Sequence, residues 1–253
     1  WLEKQGDDFQ VEVLDSLLMG EPIKDALEYS RKILIKTLNE DAKELLYRLS
    51  IIGEKLDKKL VFDVANVQPV IRRPGEKFDE LIGPWVEKLG NDHFDVSPLL
   101  ARVGENNIAA DVQKQIHLMC AERYLKNHNV KISDLLTILS HLWQAQDYVR
   151  FSHVLILALM TAKTYDEAKY IDWACSLLLD IPWPDELTLY WRIMIRAAQL
   201  RTLAFARGKT TKLITELESL IKLANTEPNT EPNTERITQS LLFAHMNLGF
   251  FAE

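Results

Sequence analysis

Cysteine is scarce, cationic residues are outnumbered, and no long apolar run occurs; each shortage closes off a class of protein. Two cysteines, Cys120 and Cys175, lie within helical patterns of a 253-residue chain, too few for the disulfide framework of a secreted scaffold. A reducing cytoplasm is the expected compartment. Thirty Lys and Arg stand against 37 Asp and Glu, a formal charge of −7. The whole-chain field therefore repels nucleic acid and anionic membrane. No stretch approaches the ~20 uninterrupted apolar residues of a membrane span, so no membrane partner is expected.

Catalytic signatures are missing as well. There is no G-x-S-x-G, H-E-x-x-H or kinase-type set,. Gly208-Lys209-Thr210-Thr211 has the look of a phosphate-loop tail, but Leu203 occupies the place of its first glycine, and a helix-ending glycine is the plainer reading,. His117 and Cys120 share a helix face without the second pair that a structural zinc needs, so no metal is expected,. His141 and His153 sit among apolar and aromatic neighbours and read as core or groove residues. The chain is not expected to be an enzyme.

What is present is a globular composition, 47% hydrophobic and 26% charged,, patterned almost throughout for helix. From Asn39, the residues Ala42, Leu45, Leu46, Leu49 and Ile52 fall on one stripe, with Lys43, Glu44, Tyr47 and Arg48 expected to face mostly away,. Asn39 is placed to cap this helix, and Glu40 and Asp41 suit its positive end. A second helix is expected over Leu60–Val67, a loop through Pro69–Gly75, and a third helix over Phe78–Leu89. The polar turn Gly90-Asn91-Asp92 and the alternating run His93–Leu100 complete a small extended wing.

Three short helices closed by a wing, with the runs Leu45-Leu46-Tyr47-Arg48-Leu49-Ser50 and Phe94-Asp95-Val96-Ser97-Pro98-Leu99-Leu100-Ala101, resemble the winged-helix module behind the nucleotide-binding core of STAND-class (NACHT/NB-ARC-like) signalling ATPases. Upstream, Ala26–Ser30 and Ile33–Leu38 are similar to the end of the helical lid of such proteins. The resemblance implies a mainly α chain in three parts: a lid remnant over residues 1–38, a winged-helix domain over 39–108, and a right-handed α-solenoid of tetratricopeptide-like helix pairs over 109–253. It implies ATP or ADP for a parent protein, with no cofactor in this stretch, because no phosphate-binding loop is present. The nucleotide-binding domain is then the expected partner of the winged helix. In relatives a histidine that touches the ADP β-phosphate often stands where this chain has Ser97; serine can donate a hydrogen bond there but lacks the titratable ring.

From Ala109 the pattern is helix after helix. Val112 to Tyr124, Ile132 to Trp143, Tyr148 to Ala162, a capping box at Thr164–Glu167 leading to about Leu179, and Glu186 to Arg207 follow one another, with Ile181–Pro184 as a break,. Leu200, Leu203, Ala204 and Gly208, then Leu213, Leu217, Leu220 and Ala224, resemble one tetratricopeptide-like pair, with Asn247-Leu248-Gly249 in the next. The repeated Thr-Glu-Pro-Asn of residues 226–233 reads as a loop. Trp143, Trp183, Tyr190 and Trp191 are the candidate anchors for a protein or peptide partner. Two other readings stand beside this one: a winged-helix transcriptional regulator with an inducer-binding repeat domain, and a helical scaffold without any ATPase. From Glu76 to Gly90, the stretch that holds the expected third helix, Glu76, Asp79, Glu80 and Glu87 stand against Lys77 and Lys88, a poor surface for DNA,.

Overall fold

A computed structural model describes residues 35–90, 92–100, 103–126, 130–161, 183–203, 210–226 and 234–249. The expected helices upstream of Ile35, the capping box at Thr164 and the tract 227–233 lie outside them. The described residues are mainly helical, with nine helices and one small three-stranded sheet. The chain divides into two compact units, Trp1–Met119 and Cys120–Glu253, and each has its own packing.

The first unit begins at α1, Glu40–Ser50, capped as its sequence demands: the Asn39 side chain accepts from the Ala42 amide, with Glu40 and Asp41 in the first turn,. Ala42, Leu45, Leu46 and Leu49 are almost wholly buried. Arg48 overturns the expected outward face. It is fully buried, its guanidinium donating to the Val67 and Pro69 carbonyls at 2.8 Å and to Val64 at 3.3 Å, while Nε meets Glu44 at 2.8 Å.

Strand β1, Leu56–Asp57, runs straight into α2, Lys58–Ala65, where Asp57 caps by accepting from the Leu60 amide. Helix α3 is Pro74–Leu81, with proline at its first position and Arg73 in the left-handed region at φ 50° before it,. The expected third helix, Phe78–Leu89, is thus displaced: it starts four residues earlier and stops at Leu81. Residues Val86–Gly90 form β2, a strand, because Gly83 at φ +100° and Pro84 end the helical path,. Strand β3, His93–Val96, pairs antiparallel with β2 and also with β1, giving the sheet order β1-β3-β2. The Phe78 and Phe94 rings meet edge to face at 4.9 Å, joining α3 to the sheet.

After two 3-10 turns, Pro98–Leu100 and Val103–Asn106, helix α4 spans Ala110–Leu125. The first turn past β3 is held by Ser97, whose amide donates to the Trp85 carbonyl and whose carbonyl accepts from Leu100. The second is pressed on α1: the Gly104 amide donates to Ser50 Oγ at 2.9 Å, and a β-carbon at residue 104 would collide with the Tyr47 carbonyl and approach Ile51 Cγ2 to 2.6 Å.

The second unit continues with α5 (Ile132–Gln144), α6 (Tyr148–Thr161), α7 (Leu189–Leu203), α8 (Thr210–Thr226) and α9 (Thr234–Gly249). Helices α5 and α6 turn on three residues, with Gln146 at φ 57° and Asp147 capping α6 through the Arg150 amide. Helix α7 packs against α6, α8 and α9. Ile193, Ala197 and Leu200 of α7 share one core with Leu213, Leu217, Leu220, Ile221 and Ala224 of α8 and Ala244 of α9.

Candidate protein-binding site

Helix α6 is apolar on both sides, which a helix with one buried face does not require. Phe151, Leu155, Ala158 and Leu159 are buried and hold it in the second unit. Val149, His153, Leu157 and Met160, at offsets 0, 4, 8 and 11, form an opposite stripe; Leu157 is 64% exposed, Val149 50% and Met160 41%,. The stripe carries no carboxylate and no lysine or arginine. A row of three large apolar side chains left in water over three helical turns is the kind of surface that a partner's apolar face covers.

Its midpoint rests on the aromatic residues. The His153 ring meets Trp191 edge-on at 4.4 Å, and Trp191 meets Tyr190 at 4.6 Å. Trp191 is 8% exposed and so forms the floor, while Tyr190 is half-buried. Trp143 packs separately on the Tyr148 and Phe151 rings at 5.3 and 5.2 Å, bracing the start of α6. Burial pushes the Tyr148 phenol above its usual range, with a smaller push from the Glu186 carboxylate,.

Trp183 belongs to a different assembly. Its indole Nε1 donates to Glu216 at 3.1 Å, and the Arg196 guanidinium lies 4.1 Å from the ring centroid,. Arg196, 1% exposed, also reaches Glu216 at 2.9 Å and Gln199 at 2.7 Å. Arg192 donates to the Leu187 and Pro184 carbonyls. Two arginines of α7 therefore pin the segment 183–187 from both its ring and its backbone.

The structure brings Tyr190 and Trp191 together, places Trp143 at the base of α6, and engages Trp183 with Arg196 and Glu216. Ser97 lies in the first unit, half-buried at the end of β3. The sequence reading passed over Val149, Leu157 and Met160, whose signal was the surplus of apolar residues on α6, and over Arg196 and Glu216, which carry no local motif. Cys120 and His141 are both buried, their ligand atoms within 4.8 Å of each other. Among the described residues no helix is long and apolar enough to cross a membrane. No protein family, curated protein or solved structure matches the chain.

Proposed function

We propose that residues 39–108 are a winged helix and residues 109–253 a stack of tetratricopeptide-like helix pairs, together the regulatory and sensor portion of a STAND-type signalling ATPase. The observation that carries this is the order of the first unit, α1-β1-α2-α3-β2-β3 with the sheet arranged β1-β3-β2. The shared core of α7, α8 and α9 supports the second half of the reading. In this scheme the winged helix relays nucleotide state from an ATPase core. The α6 stripe, floored by Trp191 and edged by Tyr190, takes a protein or peptide. Binding shifts the parent between resting and active forms only if the partner favours one of them.

A duplex-DNA reader is the weaker reading. The exposed positions of α3 are Glu76, Asp79 and Glu80, so the helix that would enter the groove presents carboxylates to phosphates.

The test is the gene product that includes whatever is encoded immediately upstream of Trp1, purified and assayed for ADP by mass spectrometry. A G-x-x-x-x-G-K-[ST] segment upstream and retained ADP are expected. Ser97→Ala then weakens ADP retention about fivefold, the worth of one hydrogen bond of ~1 kcal/mol. Absence of any nucleotide-binding segment in that gene overturns the ATPase reading.

A further inference from the structure

The first unit carries two small exposed surfaces of opposite charge. On one, Lys58 and Lys59 stand on the exposed face of α2, one turn before Phe62, which is 43% exposed. The Phe62 ring lies against Gly75, where a β-carbon would sit 3.6 Å from its Cζ. Arg72 and Arg73, both exposed, immediately precede α3. Arg73 reaches Glu76 at 3.5 Å; Lys58, Lys59 and Arg72 form no ion pair with a described carboxylate. Two lysines without an ion pair among the described residues thus stand beside Phe62, on a chain whose formal charge is −7.

The other surface is the outer face of the β2–β3 hairpin. Glu87 and Asp95 are direct register partners, both exposed, so two carboxylates face each other across the strands. Like charges in that position destabilise a sheet. Leu89, at the bulge between Lys88 and Gly90, is 45% exposed. Lys55, just before β1, lies next to this face in strand order but forms no ion pair with either acid.

We propose that these surfaces dock on each other between two copies of the chain, the Glu87/Asp95 face of one copy covering the Lys58/Lys59/Phe62 face of another. The contact removes the carboxylate repulsion by supplying lysines, and it covers the exposed Phe62 ring. A nucleic acid on the cationic face is the less favoured occupant, because Glu76, Asp79 and Glu80 border it on α3 and phosphates offer nothing apolar to Phe62. The inference does not depend on the ATPase reading.

Sedimentation of the 253-residue chain tests it, between about 5 and 200 µM, in 25 mM and 500 mM NaCl. The average mass is expected to rise with concentration at low salt and to return towards 29.2 kDa at high salt,. Lys58→Glu/Lys59→Glu and, separately, Glu87→Lys/Asp95→Lys each weaken association about tenfold or more, since each turns two attractions into repulsions. An equal mixture of the two double variants recovers association, because each now presents what the other needs, and this recovery also shows that both are folded. A single-chain mass at 200 µM in low salt overturns the proposal, as does association unmoved by either reversal or a mixture that fails to recover. Fluorescent single-stranded oligo-dT supplies the other arm: tight binding lost in Lys58→Glu/Lys59→Glu, without self-association, assigns the face to nucleic acid instead.

Discussion

Arg48 shows how one side chain can decide a local fold. Helix α2 ends at Ala65 and leaves carbonyls without intrahelical donors. The Arg48 fork supplies donors to Val64, Val67 and Pro69 at once, and Glu44 offsets its charge. Removing the fork costs about 1–3 kcal/mol for each buried group left unsatisfied; the Val64 carbonyl keeps the Val67 amide, so the loss falls on the half-buried Val67 carbonyl and on Glu44. Arg48→Met is therefore expected to destabilise the first unit by about 3 kcal/mol, measured as the shift of its urea midpoint. Arg48→Lys recovers only part of this, since a compact ammonium does not span three acceptors as the planar guanidinium does; a lysine variant as stable as the parent would sink the argument. Nothing in the sequence marked this role. Arg48 falls off the apolar stripe and reads as an outward-facing residue, and only the return of residues 64–69 onto α1 reveals what it holds.

At the scale of elements, legibility depended on whether the signal was local. The α1 cap, the apolar stripe of α1 and the helices α4 to α6 announce themselves through neighbouring residues. The α3–β2 segment did not, and its error is informative. Phe78, Leu81, Ile82, Trp85, Val86 and Leu89 repeat at the spacing of a continuous helix, and that periodicity outweighed Gly83-Pro84 in the reading. Pairing of β2 with β3 then takes Val86–Gly90 for the sheet, a long-range term that no window on the sequence contains,. The loop before α7 follows the same logic, because Trp183 is held by Glu216, 33 residues away. Trp183→Phe keeps a ring beneath Arg196 but loses the indole donor, whereas Trp183→Ala loses both and leaves a buried guanidinium without its aromatic face. We expect losses of about 1 and about 3 kcal/mol respectively, with faster amide exchange in residues 183–187 of the alanine variant. Equal losses from the two substitutions would mean that packing alone, and not the Arg196–Trp183 contact, fixes the loop.

For the whole molecule, the division into two units falls at Met119/Cys120. Each unit closes a core from its own residues: Leu45, Leu46, Leu81, Phe94 and Gly104 in the first, and the α7–α8–α9 cluster in the second. Damage to one core is then expected to remain there. Gly104→Ala forces a methyl group into the Tyr47 carbonyl, a backbone atom that cannot swing aside. The cost is about 3 kcal/mol, at the upper end for overpacking. Leu217→Ala opens a cavity in the second core at about 2–5 kcal/mol,. Native-state hydrogen exchange separates the two outcomes on a single sample. Gly104→Ala should lower protection of the buried amides in α1, α2 and β3 while sparing α7 and α8, and Leu217→Ala should do the reverse. Protection lost equally across both units in either variant would show that the two cores unfold as one cooperative unit.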